Sequence, residues 1–312
     1  MASLARTDRG QLIVIGAVAL AILLVVIALS LNTALLGVVH VAQADSSLTQ
    51  ERGALAYQSS VDRGVAGILE HLDDGATTYT AIEAAVTTEL DAWDAVVADG
   101  YHREAVSTGV TVQDVTFIST VIHDEVGPFA DQSGATNWTL AEDVSTIHAY
   151  EITIEEAATF NVSDCTDADC FQLDIHDGTD EWSMAVRAGD NESLWLSFPG
   201  TQCQQLDTPV TIDVMAGTTS DPSCTFTPVT EEVAGPYTVS YGYADGVEGT
   251  YQMTATGKLV EDTIADDPRY GTTGSPRIEA TPAGATVDLR YRSPGLQYAT
   301  ETTVELEGVT DA

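Results

Sequence analysis

VTVQDVTFISTVI, residues 110–122, is the stretch on which the fold turns. Valine, threonine, isoleucine and phenylalanine fill it, and these side chains suit a pleated, half-buried surface. The chain beyond repeats the theme in short pieces, at 144–154, 171–175, 182–186, 194–198, 210–214, 224–229, 237–243, 250–259, 278–281, 286–291 and 298–306. Asp177-Gly178 and Asp245-Gly246 each stand between two such runs, the composition of a tight hairpin turn. Residues 262–276, DTIADDPRYGTTGSP, read as a loop dense in Gly, Pro and Asp. Many short strands with turn signals and no helix between them predict an antiparallel β-sandwich region over 109–312. Its length fits one large sandwich or two small ones.

Upstream the period changes from two to between three and four. Over 76–108, Ile82, Val86, Leu90, Trp93 and Val97 line one face of an expected helix, opened by a Thr80/Glu83 capping box. Over 40–75, Val61, Val65, Ile68 and Leu72 form a second stripe, ended by Asp73-Asp74-Gly75. Gly53, Gly64 and Gly67 also admit a short linker followed by a separate core helix.

Residues 11–39, QLIVIGAVALAILLVVIALSLNTALLGVV, hold no charged side chain in 29 positions. As a helix they would reach about 43 Å, against a hydrocarbon core of about 30 Å. Arg6 and Arg9 precede this run and the chain after it turns acidic, so leader 1–10 is expected in the cytoplasm and the bulk outside. The expected fold class is therefore α+β: a transmembrane helix over 11–39, continuing as an amphipathic stalk over 40–75, a second helix, then a sandwich head. Ala42-Gln43-Ala44 would suit a secretory cleavage site, but the apolar run is about twice the usual length for that.

Arg9-Gly10-Gln11 directly abuts the apolar run. A basic residue, a glycine and a polar residue opening an uninterrupted hydrophobic helix resemble the prepilin-type signal of archaeal type IV pilin-like proteins. The likeness covers about residues 6–40. It implies cleavage by a prepilin-type peptidase between Gly10 and Gln11, leaving the apolar segment on the mature chain to pack with copies of itself or other pilin-like subunits. Ile15 departs from the bacterial pattern, which places a glutamate at that position. The uncut alternative is a single-pass anchor carrying an extracellular binding or adhesion module.

Forty-eight Asp and Glu against eleven Lys and Arg give a formal charge of −37, and Lys258 is the sole lysine. At about 1 M salt the Debye length is about 3 Å and the self-repulsion largely vanishes, so this composition resembles that of extreme halophiles. It offers no basic face for nucleic acid. The partners expected are the lipid bilayer, like subunits and the peptidase.

Cys165, Cys170, Cys203 and Cys224 all fall in the exported part, and proximity favours the pairs Cys165–Cys170 and Cys203–Cys224 over a metal site. Three Asn-x-Ser/Thr tripeptides begin at Asn137, Asn161 and Asn191 and mark candidate glycan acceptors. Asp164, Asp167 and Asp169 cluster in the small cysteine loop without the glycine turn or distal glutamate of an EF-hand. The six histidines are scattered, and the chain carries no nucleophile elbow, His-Glu-x-x-His, phosphate loop or dinucleotide fingerprint. Neither catalytic residues nor a cofactor or metal are expected.

Overall fold

The computed structural model describes residues 46–72, 78–157, 170–189, 193–205, 207–260, 267–271 and 274–306. Helices α1 (Ser46–His71) and α2 (Tyr79–His102) come first. Six strands follow: β1 (Ser107–Pro128), β2 (Trp138–Val144), β3 (Thr146–Ala157), β4 (Phe171–His176), β5 (Glu181–Ala188) and β6 (Leu194–Phe198). Then come β7 (Thr201–Gln205), β8 (Val210–Asp213), β9 (Thr218–Thr219) and the one-turn helix α3 (Val229–Glu232). Strands β10 (Tyr237–Gly242), β11 (Val247–Thr256), β12 (Arg277–Ser293) and β13 (Leu296–Glu305) close the chain. They form a seven-stranded sheet, β13-β12-β1-β11-β3-β8-β9, and a six-stranded sheet, β2-β10-β4-β5-β6-β7. Every pairing is antiparallel.

Alternation along the long strands creates the core. Tyr251, Met253 and Ala255 on β11, Val287, Leu289 and Tyr291 on β12, and Phe117, Val121 and His123 on β1 all turn to one face and are buried. Two different covers lie on that face. Phe117 meets Tyr79 of α2 (centroids 4.9 Å), whereas His123 meets Phe129 (5.7 Å) under the six-stranded sheet. Helices and second sheet thus share one hydrophobic core, and the described residues make a single two-sheet sandwich.

This arrangement corrects the α+β expectation. The described chain is mostly β, and no helix in it is long and apolar enough to cross a membrane. Nor is α1 a projecting stalk. Its stripe Ala54, Tyr57, Val61, Val65 and Leu69 is buried against the sandwich. The reason lies in its glycines. A Cβ at Gly53 would come within 2.6 Å of the Tyr291 hydroxyl, and one at Gly64 within 2.6 Å of the Trp93 ring. Both are points of close approach that a larger residue would block, so the helix lies flat. The apolar segment 11–39, with Gly10 and Gln11, lies outside the described residues.

Smaller corrections have local causes. Thr78, not Thr80, caps α2: its Oγ1 accepts from Ala81 N at 3.0 Å, while Glu83 takes the Lys258 ammonium at 2.7 Å. Asp177-Gly178 does join paired strands β4 and β5, but Asp245-Gly246 joins β10 and β11, which lie in different sheets. Tyr243 turns the chain there in the left-handed region (φ 51°) and opens a short 3-10 turn. The runs 278–281 and 286–291 are one strand, continuous through Pro282. The proline sits where the pairing slips, with Phe117 opposite Pro282 and Thr116 opposite Gly284. Residues 224–229 form no strand, because Val229 already begins α3.

Candidate functional site

Of the residues singled out beforehand, one pair is joined directly: Cys203 on β7 bonds Cys224, tying the edge of the six-stranded sheet to the segment before α3. Cys170 is disulfide-bonded, and its expected partner Cys165 lies outside the described residues, as do Asn161, Asn191 and the Asp164, Asp167, Asp169 cluster. Asn137 is exposed ahead of β2, and its Oδ1 accepts from Tyr243 N at 3.0 Å. The hydroxyl of its tripeptide, Thr139, is engaged by Ser240 Oγ at 3.4 Å. Among the described residues, Asn137 and the Cys203–Cys224 bridge share no hydrogen bond and build no common centre. No group of His, Cys, Asp or Glu among the described residues is arranged to hold a metal ion.

Three arrangements have the density that chemistry would need. The first is a shallow cleft of about 340 Å³ lined by His148, Ala149, Tyr150, Glu151, Asp213, Met215 and Ala216. Two of its polar side chains, Asp213 and His148, are already engaged. Asp213 Oδ1 accepts from Met215 N (3.0 Å) and Ala216 N (2.8 Å), and His148 Nε2 lies 2.7 Å from Thr256 Oγ1. No nucleophile and base face each other across it.

The second is an aromatic knot between the sheets. Phe129 touches His123, Phe171, Tyr241 and Tyr251 at centroid distances from 5.1 to 5.8 Å, and His123 stacks on Tyr251 at 4.9 Å and 7°. The Tyr150 and Tyr241 hydroxyls meet at 2.6 Å. Burial pushes both phenols well above their ordinary range, so they stay neutral and serve as a hydrogen-bonded pair. Burial also lowers His123, against the opposing pull of the Gly127 backbone and of Asp124 and Glu125. Neither ring nitrogen of His123 makes a hydrogen bond of good geometry among the described residues, the Gly127 backbone approaching without one.

The third covers an edge. Arg269 donates from Nη1 to Thr139 O at 2.8 Å, pairs with Asp267 at 2.9 Å and approaches Glu142 at 3.6 Å. The Tyr270 hydroxyl donates to Leu140 O. Burial alone would raise Asp267, but the bonds from Arg269 outweigh it and hold the carboxyl below its usual range. The two side chains use up backbone acceptors of edge strand β2 and protect it from further pairing.

No family model matches this chain. Comparison with curated proteins and with solved structures likewise returned no match. What the fold offers is a sandwich in which some buried polar groups bond one another, as Tyr150 does Tyr241 and Tyr79 does Ser119, while the His123 ring and the Tyr251 hydroxyl beside it make no hydrogen bond of good geometry among the described residues. Sequence reading missed the knot and the edge cover, because each joins residues more than a hundred positions apart and only the pairing of strands brings them together.

Proposed function

We propose that this chain is a pilin-like structural subunit of an archaeal cell-surface filament or a related secretion assembly, with the sandwich held outside the cell. The observation that carries the reading is the charge-free segment 11–39, entered directly from Arg9-Gly10-Gln11. A peptidase that cuts before such a segment leaves it on the mature chain, where it serves first as membrane anchor and then as packing surface for like subunits. The sandwich supports the same reading by its contents. Its Cys203–Cys224 disulfide suits an oxidising exterior.

Replacing Gly10 with valine tests this in cells that make the native protein. The full-length precursor is expected to accumulate in the membrane fraction and to drop out of crosslinked multimers. Unchanged processing and unchanged assembly in the variant would contradict the proposal.

A further inference from the structure

Two sheets have four edge strands, and three of the four are short or covered. Arg269 and Tyr270 occupy backbone acceptors of β2. Strand β7 is five residues long and is tied down by the Cys203–Cys224 bond. Strand β9 is two residues long, and Thr218 in it bridges on to Thr225. Strand β13 is the exception. Its ten residues pair with β12 without a slip, from Glu305 opposite Gly284 to Leu296 opposite Ser293. Among the described residues no other element bonds the backbone on its far side. Its sequence, LQYATETTVE, contains no proline or lysine and forms no bulge, the devices by which natural sheets discourage further pairing.

The helix beside this edge has an unfinished flank. Gln58 of α1 accepts from the Tyr298 hydroxyl of β13 at 2.9 Å. Leu55 and Asp62, three residues before and four after, share its ridge on the helix. Gly53 of the same helix packs on Tyr291 of β12, so this ridge lies on the side away from β12. Leu55 is 60% exposed, one of three large apolar side chains left so among the described residues. Asp62 has a buried carboxylate oxygen with no partner among them.

We propose that β13 pairs antiparallel with β13 of a second copy of this chain, joining the two seven-stranded sheets into one across a two-fold axis. Residues placed opposite each other must point to the same face, which restricts the register. Of the two longest overlaps allowed, one is centred on Glu301 and sets that carboxylate against itself. The other, centred on Thr300, keeps every carboxylate of the strand apart. It places Leu296 opposite Val304, Tyr298 opposite Thr302 and Thr300 opposite itself on the helix-covered face. On the outer face it sets Gln297 opposite Thr303 and Ala299 opposite Glu301. Within each copy Asp288 lies beside Glu301, and Arg290 beside Ala299. The outer row across the joint therefore runs Asp288, Glu301, Ala299, Arg290, and Glu301 of each copy reaches Arg290 of the other over an alanine. The two-fold axis stands normal to the sheet, so both α1 helices stay on one face with their Leu55 flanks turned to the joint. Two chains of charge −37 repel at long range, but in molar salt the Debye length is about 3 Å and short-range contacts decide. The pairing goes beyond the reading of segment 11–39 and does not depend on it.

The test is cysteine crosslinking of the full chain in detergent and molar salt. Across the two-fold axis the Cα atoms of Thr300 stand about 5 Å apart, within reach of a disulfide. Thr300→Cys is expected to give a covalent dimer on mild oxidation, dissolved by reductant. Gln297→Cys and Thr303→Cys are expected to crosslink when the two variants are mixed. Neither should do so alone, since each residue lies about 20 Å from its own copy. Adding Thr300→Lys to that mixture puts like charges face to face on the edge and is expected to lower the yield about fivefold. A thiol at 300 that maleimide labels freely and oxidation leaves monomeric overturns the inference. Crosslinking of Gln297→Cys or Thr303→Cys alone as readily as of the mixture also overturns it, because random collision then accounts for the dimer. A thiol at 300 that is shielded from maleimide in a monomeric chain overturns it as well, and assigns the edge to another occupant.

Discussion

The seven-stranded sheet covers one face in two ways, and the two halves of that face behave as different materials. Around Val121 and His123 the cover is a second sheet, and the filling is a knot of large rings with no helix in it. Around Val110 and Tyr291 the cover is a pair of helices whose approach depends on Gly53 and Gly64. The first half is cross-linked by residues distant in sequence. The second is a lid laid on a finished sheet, and the chain's apolar N-terminal segment is attached to that lid. A lid that is docked by glycine contacts can be loosened without dissolving the sandwich beneath it.

Removing the centre of the knot should have the largest effect. Phe129→Ala leaves a void among four rings and is expected to cost about 4 kcal/mol of global stability in chemical denaturation. A loss under about 1 kcal/mol would mean that the sheets are held elsewhere.

Gly64→Leu should act differently. The new side chain must displace the Trp93 ring, and an overpacking cost of about 2 kcal/mol is expected. Hydrogen exchange should speed up along α1 while the amides of β1 and β11 keep their protection. Uniform loss of protection over both regions would erase the distinction between lid and sandwich.

The smallest effect is a pH dependence confined to the knot. Burial holds His123 below its ordinary value of about 6.5, so the folded chain keeps the ring neutral where the unfolded chain would take up a proton. The unfolded state then binds more protons, so stability from this group is fully present above about pH 6.5 and declines as the pH falls below it. His123→Phe should remove that slope and leave the exposed carboxylates' contribution, such as that of Asp124 lowered by Arg277, in place. An unchanged slope would place the titrating group outside the knot.

Much of the sandwich was legible from side-chain alternation, since Phe171–His176 and Glu181–Ala188 announce themselves by their pattern and by Asp177-Gly178 between them. Thr201–Gln205 did not, because TQCQQ has no apolar face and is a strand only through its pairing with β6. Residues 278–281 and 286–291 read as two runs, and only the slip in register at Pro282, opposite Phe117, lets them form one strand. Asp245-Gly246 turns the chain as its composition says, but a turn's composition does not specify which sheet the next strand joins. The helices were legible as amphipathic faces, while their docking was not: an apolar stripe suits a stalk in a bundle as well as a lid on a sheet.

We propose that the apolar segment remains on the mature protein and carries the sandwich at the cell surface. The intact mass of the protein isolated from its native membrane fraction tests this most directly. A chain beginning at Gln11 is predicted; a chain beginning at Asp45 and recovered without detergent would contradict it.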